Sequence, residues 1–597
     1  MIDESYLSDW RRFDGCSAPD GQADLTLAHL TDLHGQLGSS HQVYYDNPHS
    51  RPDIEFDGDH SVRPVGGLAT HVAKLSELQS GGDGDLLTVV SGDTFHGTAE
   101  TTYTNGEVML DPLNEHVEPD VYVPGNWDFG HEGAADGSAR ELFDAVDAPV
   151  LACNLRNDDG ELLYDGTIRF ERAGISVGVV GMTNVYIDQM APAFHEGKYQ
   201  FDKAPKLLDN AAKALRNQGA DFVVAVTEIG LPWMVQAAKD FESIDLMLSA
   251  HTHEYTHDPI VIEQTGTVVV ESGMGEALGR IDVRFDPEGV AFRHVLYCFV
   301  ENHEYTPDPD LETRETIERV RAPFFRDNTE HERGDVTLDR PLDTVVGETD
   351  RPLFRQSFLE SAWNTLFNDA LREYFEADLA VAHGFRYGQA IPAGEITLGD
   401  LYTFFPMTAP VAVGDVWGQQ LRSHMERYLI NNFTPYVYGQ EDGRVRSYSS
   451  NVECVLDPTA KRGRRLVEMR VDGDPIDPGE TYRVATFRRP GDPDRDLGGC
   501  GFPFRNVRVE HGTIPVDVIE EYLDVHSPVE YDVMGLVETV GDRAQNTPAD
   551  GPYPYIQPGV DYADGTEYIQ TSMIPRRFDH PVAHRTKDHQ PGTDTRE

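Results

Sequence analysis

The chain has 597 residues, of which 103 are acidic and 49 basic, for a formal net charge of −54; only 8 of the basic residues are lysine. Apolar residues make up 39% of the chain, enough for a large core spread over more than one domain, which excludes a disordered chain. So acidic a surface repels phosphate, which excludes nucleic acid and anionic membranes as partners.

The acidic residues are spread along the whole sequence, not gathered in a tail. An acidic, lysine-poor surface suits a protein that stays soluble in molar salt. Cys16, Cys153, Cys298, Cys454 and Cys500 are odd in number and far apart, so no disulfide framework is expected. The stretch Met1–Leu7 has neither a basic start nor an apolar core, so no export signal is expected and the cytoplasm is the default location. No apolar run approaches the roughly 20 residues of a membrane span. The sequence carries no signal for an oligomeric state.

In chain order, residues 1–23 read as an N-terminal extension. Residues 24–302 alternate β-branched runs with amphipathic stretches, the pattern of a layered α/β domain. Residues 303–350 are charged and dotted with proline, with a helical patch over Leu311–Val320, and read as a connector. Residues 351–540 form a second α/β block that opens with a helical pattern over Phe358–Phe367. Residues 541–597 are polar and rich in Pro, Gly and Asp, and read as a surface tail.

Five predicted strands of the first block end in polar clusters. Leu25–Leu30 runs into Asp32 and His34, Leu86–Val90 into Ser91-Gly92-Asp93, and Val121–Val123 into Gly125-Asn126. Phe222–Val226 runs into Glu228, and Ile244–Leu248 into His251-Thr252-His253. Ligand sites of α/β sheets gather beyond the carboxyl ends of the strands, so the five clusters are expected to meet. Imidazole mixed with hard oxygen suits Zn, Mn or Fe, and seven such groups suit two ions sharing a carboxylate.

These motifs resemble the metallophosphoesterase signature: Asp32-x-His34-Gly35, Ser91-Gly92-Asp93, Gly125-Asn126 and His251-Thr252-His253. Gly66-Gly67-Leu68-Ala69 and the run Gly92–Thr98 are similar to the 5′-nucleotidase family. In the second block so are His383–Arg386, Pro392–Leu401, Phe405-Pro406 and the glycine-rich Gly498–Pro503. The resemblance implies a four-layer α/β/β/α calcineurin-like N-terminal domain and a C-terminal α/β domain of the 5′-nucleotidase type. It implies two divalent ions, Mn, Zn or Fe, with Mn slightly favoured by the carboxylate at Glu228. One ion would take Asp32, His34, Asp93 and His253; the other would take Asp93, Asn126, Glu228 and His251, with Asp93 shared. Two such ions acidify a water between them. Asp93, Asn126 and Arg386 would then be the catalytic residues. Arg386 would hold the anionic head of a small substrate, where a planar guanidinium matches a tetrahedral anion. Phe385, Phe502 and Trp127 would line the substrate cleft, and rotation of the second domain would gate it.

The chain departs from the family at three places. Asn126 is followed by Trp127, where nucleotidases carry a histidine, and Gly130 stands where they carry an aspartate. Glu228 replaces a histidine, and a carboxylate shifts preference toward harder ions. The histidine-to-tryptophan change and the stretch Gly384-Phe385-Arg386-Tyr387-Gly388 are similar to the thiosulfohydrolases of sulfur oxidation. Three readings follow: a hydrolase of nucleotide-type phosphoesters, a hydrolase of S-sulfonates, and a non-catalytic metal-binding homologue. The ligand set favours the first.

The charge predicts that the fold loosens at low salt. Going from 1 M to 0.01 M lengthens the screening distance from about 3 Å to about 30 Å, so carboxylates across the surface begin to repel. Calorimetry over that range is expected to show a falling melting temperature, and a midpoint independent of salt would remove the case for a high-salt protein.

Overall fold

In the computed structural model the described residues are 23–45, 60–81, 85–130, 138–187, 199–253, 256, 260–262, 264–286, 289–299, 306–355, 360–382, 388–432, 446–457, 460, 461, 463–489, 497, 503–531, 535–540, 576, 577 and 586–589. All seven residues of the first strand, β1 (Leu25–Thr31), are buried. Burial along the whole strand, its Thr26, His29 and Thr31 included, fits a strand covered on both faces. Helix α1 (Leu68–Ser80) leads to β2 (Asp85–Gly92), helix α2 (Ala99–Tyr103) and β3 (Val121–Pro124). Then come β4 (Thr167–Arg172), β5 (Ile175–Met182), α3 (Lys206–Asn217), β6 (Phe222–Thr227), α4 (Leu231–Ala238) and β7 (Leu246–Ser249). The first block closes with β8 (Ile260–Val261), β9 (Val268–Glu271), β10 (Ala277–Asp286) and β11 (Gly289–Cys298).

These strands form two six-stranded sheets. The first runs Thr586–His589, β11, β10, β1, β2, β3, and the second β8, β9, β7, β6, β5, β4. Leu27, Leu87, Val89 and Val123 of the first sheet share one apolar cluster with Val177, Val224, Leu246 and Val270 of the second, so the sheets pack face to face. Leu208, Ala212 and Leu215 of α3 and Met234 and Val235 of α4 cover the outside of the second sheet. This is the expected four-layer sandwich. β1, β2 and β3 are mutually parallel, as are β5, β6, β7 and β9. Their carboxyl ends therefore lie at one edge of each sheet, which is what can bring five separate clusters together.

The predicted strands are found within a residue or two of their expected ends. The last begins at Leu246, not Ile244. The helical patch of the connector is α5 (Leu311–Arg321), capped by the Asp310 carboxylate, which accepts from Thr313 N–H. The helix expected from Phe358 begins at Ala362 as α6 (Ala362–Tyr374), because Ser361 caps it by accepting from Asn364 N–H; residues 356–359 lie outside the described set. Beyond it come β12 (Leu379–Ala382), α7 (Leu398–Phe404), β13 (Val411–Trp417), β14 (Ser447–Tyr448), β15 (Thr481–Phe487) and β16 (Arg505–Glu510). The five strands form one sheet in the order β14, β12, β15, β13, β16. Two short strands, Arg576–Arg577 and Thr586–His589, come from the stretch that the sequence marks as a polar tail. Among the described residues, no helix is long and apolar enough to cross a membrane.

The connector is part of the core. One apolar cluster runs from Leu30 and Leu68 through Ile317, Phe324, Leu338 and Leu342 to Trp363, Leu366, Leu401 and Phe404. The ring of Phe324 stacks on His331 with centroids 4.0 Å apart. Across the domain boundary, Tyr103 and Tyr402 share a hydroxyl–hydroxyl bond of 2.7 Å, and Thr102 donates to the Pro406 carbonyl at 2.9 Å. Arg333 donates to the Thr102 carbonyl and to Asn105.

Phe324→Ala is therefore expected to cost about 3–5 kcal/mol, the range for truncating a fully buried aromatic residue. Denaturant unfolding measures this. A loss near zero would mean that residues 303–350 are a loose linker after all.

Candidate metal centre

The loops beyond β1, β2 and β7 converge on four side chains. Asp32, His34, Asp93 and His253 offer ligand atoms that all lie within 4.8 Å of one another, and all four residues are buried. His34 Nε2 and His253 Nε2 are 3.1 Å apart. His34 Nδ1 donates to the His96 carbonyl at 3.0 Å, which leaves its Nε2 lone pair facing the cluster.

The backbone here is forced. Asp32, His34, His251 and His253 have φ of 49°, 46°, 84° and 58°. Left-handed non-glycine residues cost of order 1–3 kcal/mol each, and the surroundings must over-determine them. They do so for Asp32. Its Oδ1 accepts from Asp93 N–H at 3.2 Å, and its Oδ2 accepts from His251 N–H at 3.0 Å and from the Thr31 hydroxyl at 2.7 Å. Gly92 must be glycine, because a Cβ there would sit 2.5 Å from Asp32 Oδ1 on a backbone with φ +81°. At Gly125 a Cβ would sit 2.2 Å from Asp93 Oδ1.

A second group adjoins the first. His251 Nδ1 lies 2.9 Å from Asn126 Oδ1 and 3.0 Å from Glu228 Oε1. Glu228 Oε2 is buried with no hydrogen-bond partner among the described residues, the condition of a carboxylate oxygen that a cation would satisfy. Asp93, of the first group, is tied to the loop of the second through Trp127, the residue after Asn126. Its Oδ1 accepts from Trp127 N–H at 2.7 Å, and its Oδ2 lies 3.8 Å from His34 Nε2. All seven sequence-predicted ligands are thus brought to one edge of the sandwich.

The electrostatics match a cation site. Burial alone would raise the Asp32 carboxyl, but the imidazoles of His253 and His34 and the Thr31 hydroxyl hold it below the usual carboxylate range. Burial, then the charges of Asp32, Asp93, Asp128 and Glu271, push the Glu228 carboxyl well above that range. Burial drives the His34 imidazole well below its ordinary value, so it is held neutral. The neutral imidazole of His34, with His251, His253 and crowded carboxylates, is a donor set that two divalent ions would fit.

Three supporting residues were given no role at the site by the sequence. The Asp128 carboxylate accepts four hydrogen bonds, from Thr94, Phe95 and Gly125 N–H and from the Tyr122 hydroxyl. Burial nevertheless pushes it up to about 6. Glu271, at the end of β9, accepts from the hydroxyls of Ser249 and Thr252 at 2.6 and 2.8 Å. Thr252 in turn accepts from Leu231 N–H, which ties the loop of His251 to that of Glu228. The His96 ring stacks on Trp127, with centroids 4.9 Å apart and planes at 20°. Burial and, less, the Arg333 guanidinium push His96 down to about 3, so the ring is neutral near pH 7. Arg386, Phe385 and Phe502 lie outside the described residues.

A two-sheet sandwich with Asp, Asn and His at the carboxyl ends of its parallel strands has the architecture of a calcineurin-like phosphoesterase. Residues 25–255 match the family model for calcineurin-like phosphoesterase, and residues 345–488 that for the 5′-nucleotidase C-terminal domain. The chain belongs to the 5′-nucleotidase family of metallophosphoesterases. It is 22% identical to protein UshA of Yersinia enterocolitica, over 85% of this chain and 92% of that protein. It is 24% identical to the trifunctional nucleotide phosphoesterase YfkN of Bacillus subtilis over 82% of this chain, and spans 33% of that protein's length. Among solved structures it is similar to the sulfate thiohydrolase SoxB of Thermus thermophilus, with a TM-score of 0.74, 23% identity, and coverage of 89% of this chain and 98% of that one.

Proposed function

We propose that the protein hydrolyses small phosphoesters, nucleotides foremost, at two divalent ions. The observation that carries this reading is the convergence of Asp32, His34, Asp93 and His253 beside Asn126, Glu228 and His251. The first four would hold one ion, and Asp93, Asn126, Glu228 and His251 the other. Two divalent ions so held would supply Lewis-acid charge, which stabilises a developing oxyanion and lowers the pKa of water. The name of the relative YfkN, a trifunctional nucleotide phosphoesterase, supports a nucleotide-type substrate. Mn is favoured over Zn and Fe, because Glu228 adds a hard oxygen where the family has an imidazole.

The chain's own groups divide the remaining work. Trp127 N–H fixes Asp93, and the His96 carbonyl fixes the tautomer of His34. Arg386 would bind the anionic head, and Phe385 and Phe502 would line the cleft. Trp127 has no acid to offer a leaving group, since indole presents one neutral N–H. That observation favours a second reading, hydrolysis of an S-sulfonate, whose leaving group needs little protonation. The likeness to the SoxB structure supports the shared fold and nothing finer. The acidic, lysine-poor composition supports work at high salt.

A panel of nucleotides, simple phosphomonoesters and S-sulfonates, assayed with Mn at molar salt, decides between the readings. Turnover of nucleotides supports the first, turnover of S-sulfonates alone supports the second, and no turnover of either leaves a metal-binding homologue.

Asp93→Ala is expected to abolish activity and to lower bound metal from two ions toward one or none. Elemental analysis showing two tightly held ions in the variant would remove Asp93 from its shared position. Trp127→His is expected to raise kcat/KM for phosphomonoesters by less than the roughly 10²–10⁴-fold typical of an acid–base group, since Gly130 offers no carboxylate to orient the new ring. If Trp127 instead shapes a sulfonate pocket, the same change lowers S-sulfonate turnover and leaves phosphoesters alone. No change on either class would place Trp127 outside the reacting centre.

A further inference from the structure

Asp128 is fully buried, and both of its oxygens are saturated. The two oxygens serve different loops. Oδ1 accepts from Thr94 N–H and Phe95 N–H, each at 2.8 Å, and these residues directly follow Asp93. Oδ2 accepts from Gly125 N–H at 2.9 Å and from the Tyr122 hydroxyl at 2.6 Å, and Gly125 directly precedes Asn126. One carboxylate therefore spans the gap between the end of β2 and the end of β3. Trp127 N–H on Asp93 Oδ1 is a second tie between the same two loops.

We propose that Asp128 is a positioning residue that locks the Asp93 loop to the Asn126 loop, and so sets the distance between the two groups of candidate ligands. The role rests on the two-ion reading above. It also gives the two ions unequal dependence on Asp128. An asparagine at 128 keeps one oxygen and turns an NH2 group toward the donors on the other side. The Tyr122 hydroxyl can rotate to accept from that NH2; Gly125, Thr94 and Phe95 can only donate. The amide therefore settles with its oxygen on Thr94 and Phe95 and its nitrogen toward Tyr122, which orphans Gly125 N–H beside Asn126. The Asp93 loop keeps its clamp while the Asn126 loop loses it.

The test is Mn binding to the full chain, wild type against Asp128→Asn, followed by calorimetry and by the spin coupling of the Mn pair in electron paramagnetic resonance. The ion assigned to Asn126, Glu228 and His251 is expected to bind about 10–100-fold more weakly, as when a partner that orients a ligand is removed. The other ion keeps its affinity, and the coupled-pair signal gives way to that of a single Mn. A residue that only supported the fold would lower the melting temperature without separating the two affinities. Equal weakening of both ions, or no weakening, would overturn the proposal. Should Asp128→Asn not fold, Tyr122→Phe removes one donor from the same oxygen and is expected to weaken the same ion several-fold; unchanged binding there would overturn the proposal equally. A wild type that binds no Mn would instead overturn the two-ion reading, and this role with it.

Discussion

The crowding of carboxylates and imidazoles at one buried edge governs the rest of the structure. Asp32, Asp93 and Glu228 are taken from water within reach of one another. In a low-dielectric interior such a group costs free energy until opposite charge or donors arrive. The fold answers with donors held at fixed positions. Asp32 is gripped by two backbone N–H groups and a hydroxyl, and Asp93 by the N–H of Trp127. Two further buried carboxylates, Asp128 and Glu271, tie the ligand-bearing loops in pairs. The strained φ values at Asp32, His34, His251 and His253 show how closely those loops are forced together. Gly92 and Gly125 supply the space that makes the approach possible.

The same edge is joined mechanically to the second domain. The loop from Asp93 runs through His96 into α2, whose Thr102 and Tyr103 bond to Pro406 and Tyr402 of the second domain. The apolar core passes through the connector without a break. A rotation of the second domain, which the family resemblance suggests as a gate, would have to break this shared core and these bonds. The arrangement seen here is one in which the second domain braces the loop that carries Asp93.

The convergence of the candidate ligands was largely legible in the sequence, and the reason is geometric. Strands buried on both faces announce themselves as apolar runs, and the polar residues that break them fall at the strand ends, where this fold gathers its ligands. Asp32, His34, Asp93, Asn126, Glu228, His251 and His253 all stand at such breaks. Asp128, Glu271 and His96 were not legible in this way. Their roles depend on which N–H and hydroxyl groups point at them, and local sequence does not carry that information. The burial of the connector was not legible for a related reason. Its buried residues, Ile317, Phe324, Leu338 and Leu342, are few and scattered through a charged stretch, so its composition does not show that those side chains complete the core. The start of α6 was placed early because Phe358 and Leu359 continue the helical spacing of apolar residues on the other side of the Ser361 cap.

The most direct test of the account is a crystal grown with Mn and examined by anomalous scattering at the Mn edge. Two peaks are expected: one among Asp32, His34, Asp93 and His253, the other among Asp93, Asn126, Glu228 and His251. A single peak, a second peak with Glu228 turned away, or no peak at these residues would contradict it.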